Sequence, residues 1–158
     1  MRFNHKIISS FAFMALLSSC SDTVSSTAAT TSAASVNTPA EMDFVSHVGP
    51  NGDRVLFGYD RSDITTEGQT VLEHQAMWLN SNPEVKITEE GHTDVRGSEA
   101  YNLGLGERRA NAAKNFLVAL GVQPDRIEVV SFGKNRPAVI GNDELAHSQN
   151  RRAVTVAH

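Results

Sequence analysis

The sequence predicts a single α/β domain, a two-layer sandwich in which βαβ units pack against one sheet. Two observations carry that expectation. Short runs rich in Val, Ile and Phe alternate along the chain with segments of helical periodicity, the order that builds βαβ units. Once the first forty or so residues are set aside, the rest of the 158-residue chain is the size of one ordinary domain with a core of its own.

The elements follow in order across a domain expected to span 42–158. The turn residues Gly49, Pro50, Asn51 and Gly52 lead into a short strand from Asp53 to Phe57. Thr66 and Gln69 have capping-box spacing for a helix running to about Asn80, with Val71, Leu72, Ala76 and Leu79 turned inward and Asn82-Pro83 ending it. Val85 and Ile87 open a second strand, which stops at Gly91. Ser98 caps a long helix, Glu99 suits its positive end, and Gly121 closes it. Tyr101, Leu105, Ala112, Phe116 and Leu120, widened by Ala113 and Leu117, form its expected core face. Val122 to Pro124 make a turn, Arg126 to Phe132 a strand, and Gly133 to Asn150 a polar connection with a helical turn beginning near Asn142. Arg151 to Val156 close the sheet.

Composition removes several functions. The formal charge is -4, and losing Arg2 and Lys6 with a leader makes the mature chain more acidic still. Nonspecific nucleic-acid binding needs a basic surface, so no nucleic-acid partner is expected. Cys20 is the single cysteine, which excludes an internal disulfide, and no Cys/His cluster has structural-zinc spacing.

That cysteine follows a secretory leader. Residues 1–19 begin with Arg2 and Lys6, continue through a short apolar run too brief for a membrane span, and end in small residues. Leu17-Ser18-Ser19-Cys20 resembles the bacterial lipobox, which implies a lipidated Cys20 at the mature N-terminus. By the lipoprotein sorting pattern, Ser21 after the cysteine points to the outer membrane. Residues 20–41 are dominated by Ser, Thr and Ala and read as a disordered tether. Some twenty such residues reach at most about 70 Å extended, with a root-mean-square span of roughly 25 Å.

The chemistry gathers where the second strand gives way to the long helix. His92, Thr93 and Asp94 sit at the strand end. Asn102 and Arg109 lie two helical turns apart, so they project within roughly 20° of each other toward that loop. A carboxylate and a guanidinium sharing one shallow site suit a small zwitterion, with Asp94 holding an ammonium and Arg109 a carboxylate. The same spacing also fits an internal salt bridge from Asp94 to Arg109 that merely clips loop to helix. His92 and Asp94 invite comparison with a metal or acid/base pair. A catalytic metal wants three protein ligands, and no third stands near them in sequence; His74, His147 and His158 are scattered. There is no GxSxG nucleophile elbow, so hydrolysis is disfavoured and no cofactor is expected.

The run GHTDVRGSEAYNLGLGERRA closely resembles the signature of OmpA-like peptidoglycan-binding domains, with its TD pair, Gly, Asn and LxxRRA helix segment. With EGH before it and SFGKNRPAVIGNDELAHSQNRRAV after it, the resemblance extends from about Val55 to Val156. It implies a βαβαβ-type core with a mixed sheet. It further implies that Asp94 and Arg109 hold the amine and a carboxylate of meso-diaminopimelate in a peptidoglycan stem peptide, beside Thr93. Asn102 and Leu105 match positions lining that groove, Phe57 an aromatic near it, and Arg151 another position near the wall. His92 is expected to orient the loop or line the site. Val95 and Ser98 depart from what close relatives often carry. Combined with the lipobox, the resemblance implies a lipid-anchored member in the outer membrane, with the β-propeller protein TolB and other Tol-system proteins as partners. A wall-modifying hydrolase using His92 and Asp94, and a structural lipoprotein outside the Tol system, are the alternatives. Replacing Asp94 or Arg109 by Ala is expected to cost ligand binding with little unfolding.

Overall fold

The computed structural model describes residues 38–158. The leader, the expected lipidation site Cys20 and nearly all of the tether lie outside the described residues. In order come α1 (Pro39–Val48), β1 (Arg54–Leu56), α2 (Thr66–Ser81), β2 (Ile87–His92), α3 (Glu99–Ala119), a 3-10 turn (Pro124–Arg126), β3 (Ile127–Gly133), α4 (Glu144–Asn150) and β4 (Arg152–Ala157). The sheet runs β1-β4-β2-β3. β2 and β3 are parallel, joined through α3 as one βαβ unit, and β4 lies antiparallel to both β1 and β2. The sheet is therefore mixed.

Side-chain alternation places the core. Val55, Ile87, Ile127, Ala153 and Ala157 of the strands meet Leu72, Ala76 and Leu79 of α2 and Ala113 and Leu117 of α3. Leu72, Leu79 and Leu117 are fully buried, and each such side chain contributes about 1.5–3 kcal/mol. Among the described residues no helix is long and apolar enough to cross a membrane.

The helix ends follow from local chemistry, with one correction. α3 starts as expected, the Ser98 hydroxyl accepting from the Tyr101 amide, and stops at Gly121, whose φ of +97° is the left-handed conformation glycine adopts freely. α2 is capped by Thr65 rather than Thr66: Thr65 is the extended residue, and its hydroxyl accepts from the Gly68 amide at 3.2 Å. Gln69 is then one place too far along for a capping box. α1 has no counterpart in the sequence reading. Thr38 caps it with Pro39 in its first turn, Phe44 meets Trp78 edge-on at 5.2 Å, and the Thr38 hydroxyl donates to the Ala157 carbonyl at 3.1 Å.

The buried face of α3 also differs from expectation. Tyr101 is 48% exposed and Leu120 37%. The face that is buried carries Asn102, Leu105, Gly106, Arg109, Ala110, Ala113 and Leu117. The cause is a backbone approach that no large side chain permits. A Cβ on Gly91 of β2 would lie 1.9 Å from the Gly106 carbonyl oxygen, and one on Gly106 would lie 2.4 Å from Ser131 Oγ. With glycine facing glycine, helix and strand meet directly, and Asn102 and Arg109 extend past the contact toward the strand end.

Gly91→Ala is expected to cost about 3 kcal/mol or more by forcing helix and strand apart. Gly104→Ala, on the same helix with only the flexible Arg108 guanidinium within 4 Å, should instead stabilise by about 0.5–1 kcal/mol. Urea unfolding of residues 21–158 measures both, and equal effects would contradict the close-approach account.

Candidate functional site

The site forms where β2 leaves the sheet. The pairing of β2 with β3 shifts register between Gly91 and His92, the Thr93 amide donates to the Gly133 carbonyl at 2.9 Å, and Asp94 then turns away into a loop. The Asp94 carboxylate accepts from the Arg96 backbone amide at 3.1 Å and from its guanidinium at 2.5 Å. Asn102 secures the rest of that loop by donating to the carbonyls of Arg96 and Ser98. Gly97 passes over it at a φ of +91°.

Thr93, Asp94, Asn102, Leu105 and Arg109, all anticipated from sequence, line one cavity of about 110 Å³. Tyr59, Asp60, Arg96, Gly97 and Tyr101 complete the wall; none of these was anticipated. Tyr59 and Asp60 come from the loop after β1. The Arg96 guanidinium lies 4.3 Å over the Tyr59 ring, and the Tyr101 hydroxyl donates to Asp60. Asp60 has a φ of +53°, uncommon for a residue with a side chain. The polar stretch Gly58-Tyr59-Asp60-Arg61 was the available signal, and only as a loop.

Three anticipated residues stand behind the cavity instead of lining it. Phe57 is buried, with the Arg109 guanidinium 5.2 Å from its ring, so it is a core residue that also supports the site. Arg151 donates to the Phe57 carbonyl at 3.0 Å and reaches Asp94 at 3.5 Å. His92 is only 1% exposed and stacks on Phe132 at 5.5 Å. Burial lowers its pKa, against an opposing pull from Glu90 3.4 Å away. It acts on the site through its backbone, whose carbonyl accepts from Arg109 at 2.8 Å.

The Asp94 to Arg109 salt bridge does not form. Arg109 is fully buried and donates to three carbonyls: Arg61 at 2.9 Å, His92 at 2.8 Å and Gly58 at 3.1 Å. A guanidinium has five N–H donors, so two are left uncommitted. Burial pushes its pKa down to about 10, opposed by the charge of Asp94, and it remains a cation at neutral pH. Asp94 instead joins a closed ring of charges. It pairs with Arg96, Arg96 with Glu144 at 3.6 Å, Glu144 with Arg151 at 2.8 Å, and Arg151 with Asp94 again. Burial works against the Asp94 charge, but the hydrogen bonds from Arg96 and Arg151 more than offset it and hold the carboxyl below its ordinary range. Opposite charges thus share a cavity sized for the end of one side chain. Among the described residues no three His, Cys, Asp or Glu side chains come together as metal ligands.

The sequence model described as the OmpA family matches residues 56–151. The chain is 47% identical over 114 residues to the peptidoglycan-associated lipoprotein of Mesorhizobium japonicum, covering 72% of this chain and 66% of that protein. It is 48% identical over 100 residues to the peptidoglycan-associated lipoprotein of Haemophilus influenzae, covering 63% and 65%. The matches thus span just under two thirds of these relatives' own length. The crystal structure of the peptidoglycan-associated lipoprotein from Burkholderia pseudomallei superposes with a TM-score of 0.66 at 40% identity, over 67% of this chain and 90% of that one.

The burial of Arg109 revises one expectation from sequence. Arg109→Ala strands three buried carbonyls and is expected to lower the unfolding free energy by about 3 kcal/mol or more, whereas Asp94→Asn keeps hydrogen-bonding atoms in place and should cost about 1 kcal/mol. Denaturant unfolding of the two variants side by side decides this. Little loss for Arg109→Ala would contradict the scaffold role.

Proposed function

The chain belongs to the OmpA family, and from that premise we propose that it is a noncatalytic lipoprotein, anchored in the outer membrane through Cys20, whose periplasmic domain (42–158) grips peptidoglycan. The ligand is the meso-diaminopimelate residue of an uncrosslinked stem peptide. The observation that carries this reading is the cavity in which Asp94 and Arg109 meet. Diaminopimelate ends in an ammonium and a carboxylate on one carbon, and a shallow, doubly charged cavity of this size takes such a terminus and little more. The ammonium goes to Asp94, held ionised for it. The carboxylate goes to the uncommitted donors of Arg109, and Leu105 covers the methylene stem. The relatives described above are all peptidoglycan-associated lipoproteins, which supports peptidoglycan as the polymer bound.

The Tol-system partners, TolB foremost, belong to this proposal. In this proposal TolB docks on a surface that overlaps the cavity rim, so that wall and partner compete and the domain divides its time between them. The hydrolase alternative is weakened by His92, which lies buried against Phe132 and outside the cavity. An acid or base must reach the atom it protonates.

Calorimetric titration of residues 21–158 tests the ligand. A stem peptide carrying meso-diaminopimelate should bind, its lysine analogue without the second carboxylate should bind more weakly, and Asp94→Asn should remove about 2 kcal/mol, roughly thirtyfold in affinity. Equal affinity for both peptides would overturn the assignment. A TolB complex that binds the peptide as tightly as the free domain does would overturn the competition.

A further inference from the structure

At the centre of the core, between α2 and the sheet, three oxygen atoms stand in a row with too few protons among them. Glu89 of β2 is completely buried. Its Oε1 lies 2.8 Å from Thr155 Oγ1 of β4, and that hydroxyl lies 2.8 Å from Gln75 Oε1 of α2. The orientation of the Gln75 amide is set by its other end, because its nitrogen donates to the Gly52 carbonyl at 2.7 Å and a carbonyl can only accept. Gln75 therefore presents a bare oxygen to Thr155. Two short oxygen–oxygen contacts need two hydrogens, and the Thr155 hydroxyl supplies one. The second must sit on Glu89.

The surroundings agree with a neutral acid and disagree with an anion. Glu89 Oε2 has no hydrogen-bond partner, which an uncharged carbonyl oxygen tolerates far better than a carboxylate does. Among the described residues no cation faces it from the packed elements. α2 offers Gln75 among Leu72, Ala76 and Leu79, β4 offers Thr155, β3 places Val129 alongside, and β1 contributes Val55. The one charged residue on the buried face of α3 is Arg109, whose guanidinium is committed to carbonyls at the far end of β2.

We infer that Glu89 is held in the native domain as an un-ionised carboxylic acid donating to Thr155, and that loss of its proton is a built-in trigger that unlatches α2 from the sheet. Ionisation leaves the Thr155 hydroxyl proton as the only one for the two oxygen–oxygen contacts. Thr155 can then satisfy Glu89 or Gln75 but not both, and Gln75 is the residue that ties α2 to the turn at Gly52 and to β4. The affected strand is β2, which runs directly into His92, Thr93 and Asp94.

The sign of the effect follows from linkage. Burial, only partly opposed by the Thr155 hydrogen bond, raises the Glu89 pKa to about 7, against about 4.3 in an unfolded chain. Between those values the native state binds more protons. Stability is complete below the lower value, falls as pH rises toward the upper one, and levels off above it.

The test uses residues 21–158. In carbon-13 NMR of the wild type, the Glu89 carboxyl should titrate near neutrality; titration near 4 would overturn the inference without any variant being made. In urea unfolding, Glu89→Gln, which keeps a donor toward Thr155 without an ionisable proton, should be the more stable form at pH 8. Between pH 5 and pH 8 the wild-type unfolding constant should rise roughly fiftyfold to a hundredfold more than that of the variant. Parallel pH profiles for the two proteins would overturn it equally.

Discussion

The fold and the site both depend on one guanidinium. Arg109 projects from the middle of α3 to a buried position at the floor of the cavity, where its donors join the carbonyls of Gly58, Arg61 and His92. Those carbonyls belong to the end of β2 and to both ends of the loop that carries Tyr59 and Asp60. A single side chain thus sets the distance between the floor of the cavity and two of its walls. Charge-assisted hydrogen bonds to carbonyls offset the desolvation of the cation, and Asp94 nearby favours the charge without bonding to it. Phe57 gives the planar group an aromatic ring beneath it. A lysine, with a point charge and three donors on a flexible stem, cannot reproduce this three-way tie.

That arrangement is possible because α3 and β2 approach so closely. Glycine faces glycine at Gly91 and Gly106, so the helix leaves no room there for an aliphatic layer. The polar arms of Asn102 and Arg109 run alongside the contact to the strand end. Strand, loop and helix then meet at one point, where Asp94 is gripped by Arg96 and Arg151 and where Glu144 of α4 closes the ring. Because every charge in that ring has a partner, the ammonium of the proposed ligand would not meet an isolated carboxylate. It would compete with, or add to, an existing arrangement, which favours a ligand that brings its own carboxylate to Arg109.

Much of this was legible in the chain, and the failures have physical causes. Alternation of strand and helix gave the order of β1 to β4 with α2, α3 and α4, because burial on one side of each element leaves its period in the sequence. Asp94, Asn102 and Arg109 could be grouped since a strand end and two helical turns bring them together by local geometry alone. The apolar face of α3 was misjudged because Tyr101 and Leu120 keep helical period yet lie at the rim and the end of the helix, while a fully buried Arg109 looks like a surface residue. Tyr59 and Asp60 were unreadable for another reason: they are held at the site by the long-range hydrogen bonds that Arg109 donates to the flanking Gly58 and Arg61 carbonyls, and nothing local records those. Glu89 continues the inward-facing series begun by Ile87, but an acid at such a position gives no sign in sequence of whether it carries a proton. α1 was missed because its one fully buried anchor, Phe44, follows a stretch rich in Ser, Thr and Ala.

The central claim is that the Arg109 guanidinium is at once the scaffold and the ligand floor of this cavity. The most direct measurement is a nitrogen-15 NMR titration that follows the side-chain N–H signals of Arg109 while a meso-diaminopimelate stem peptide is added to residues 21–158. The expected result is a slowly exchanging set of Arg109 signals already present without ligand, which then shift together with the Thr93 and Asp94 amides while Val71 of α2, which does not line the cavity, stays still. Rapidly exchanging Arg109 signals, or shifts that leave Arg109 and Asp94 untouched, would contradict it.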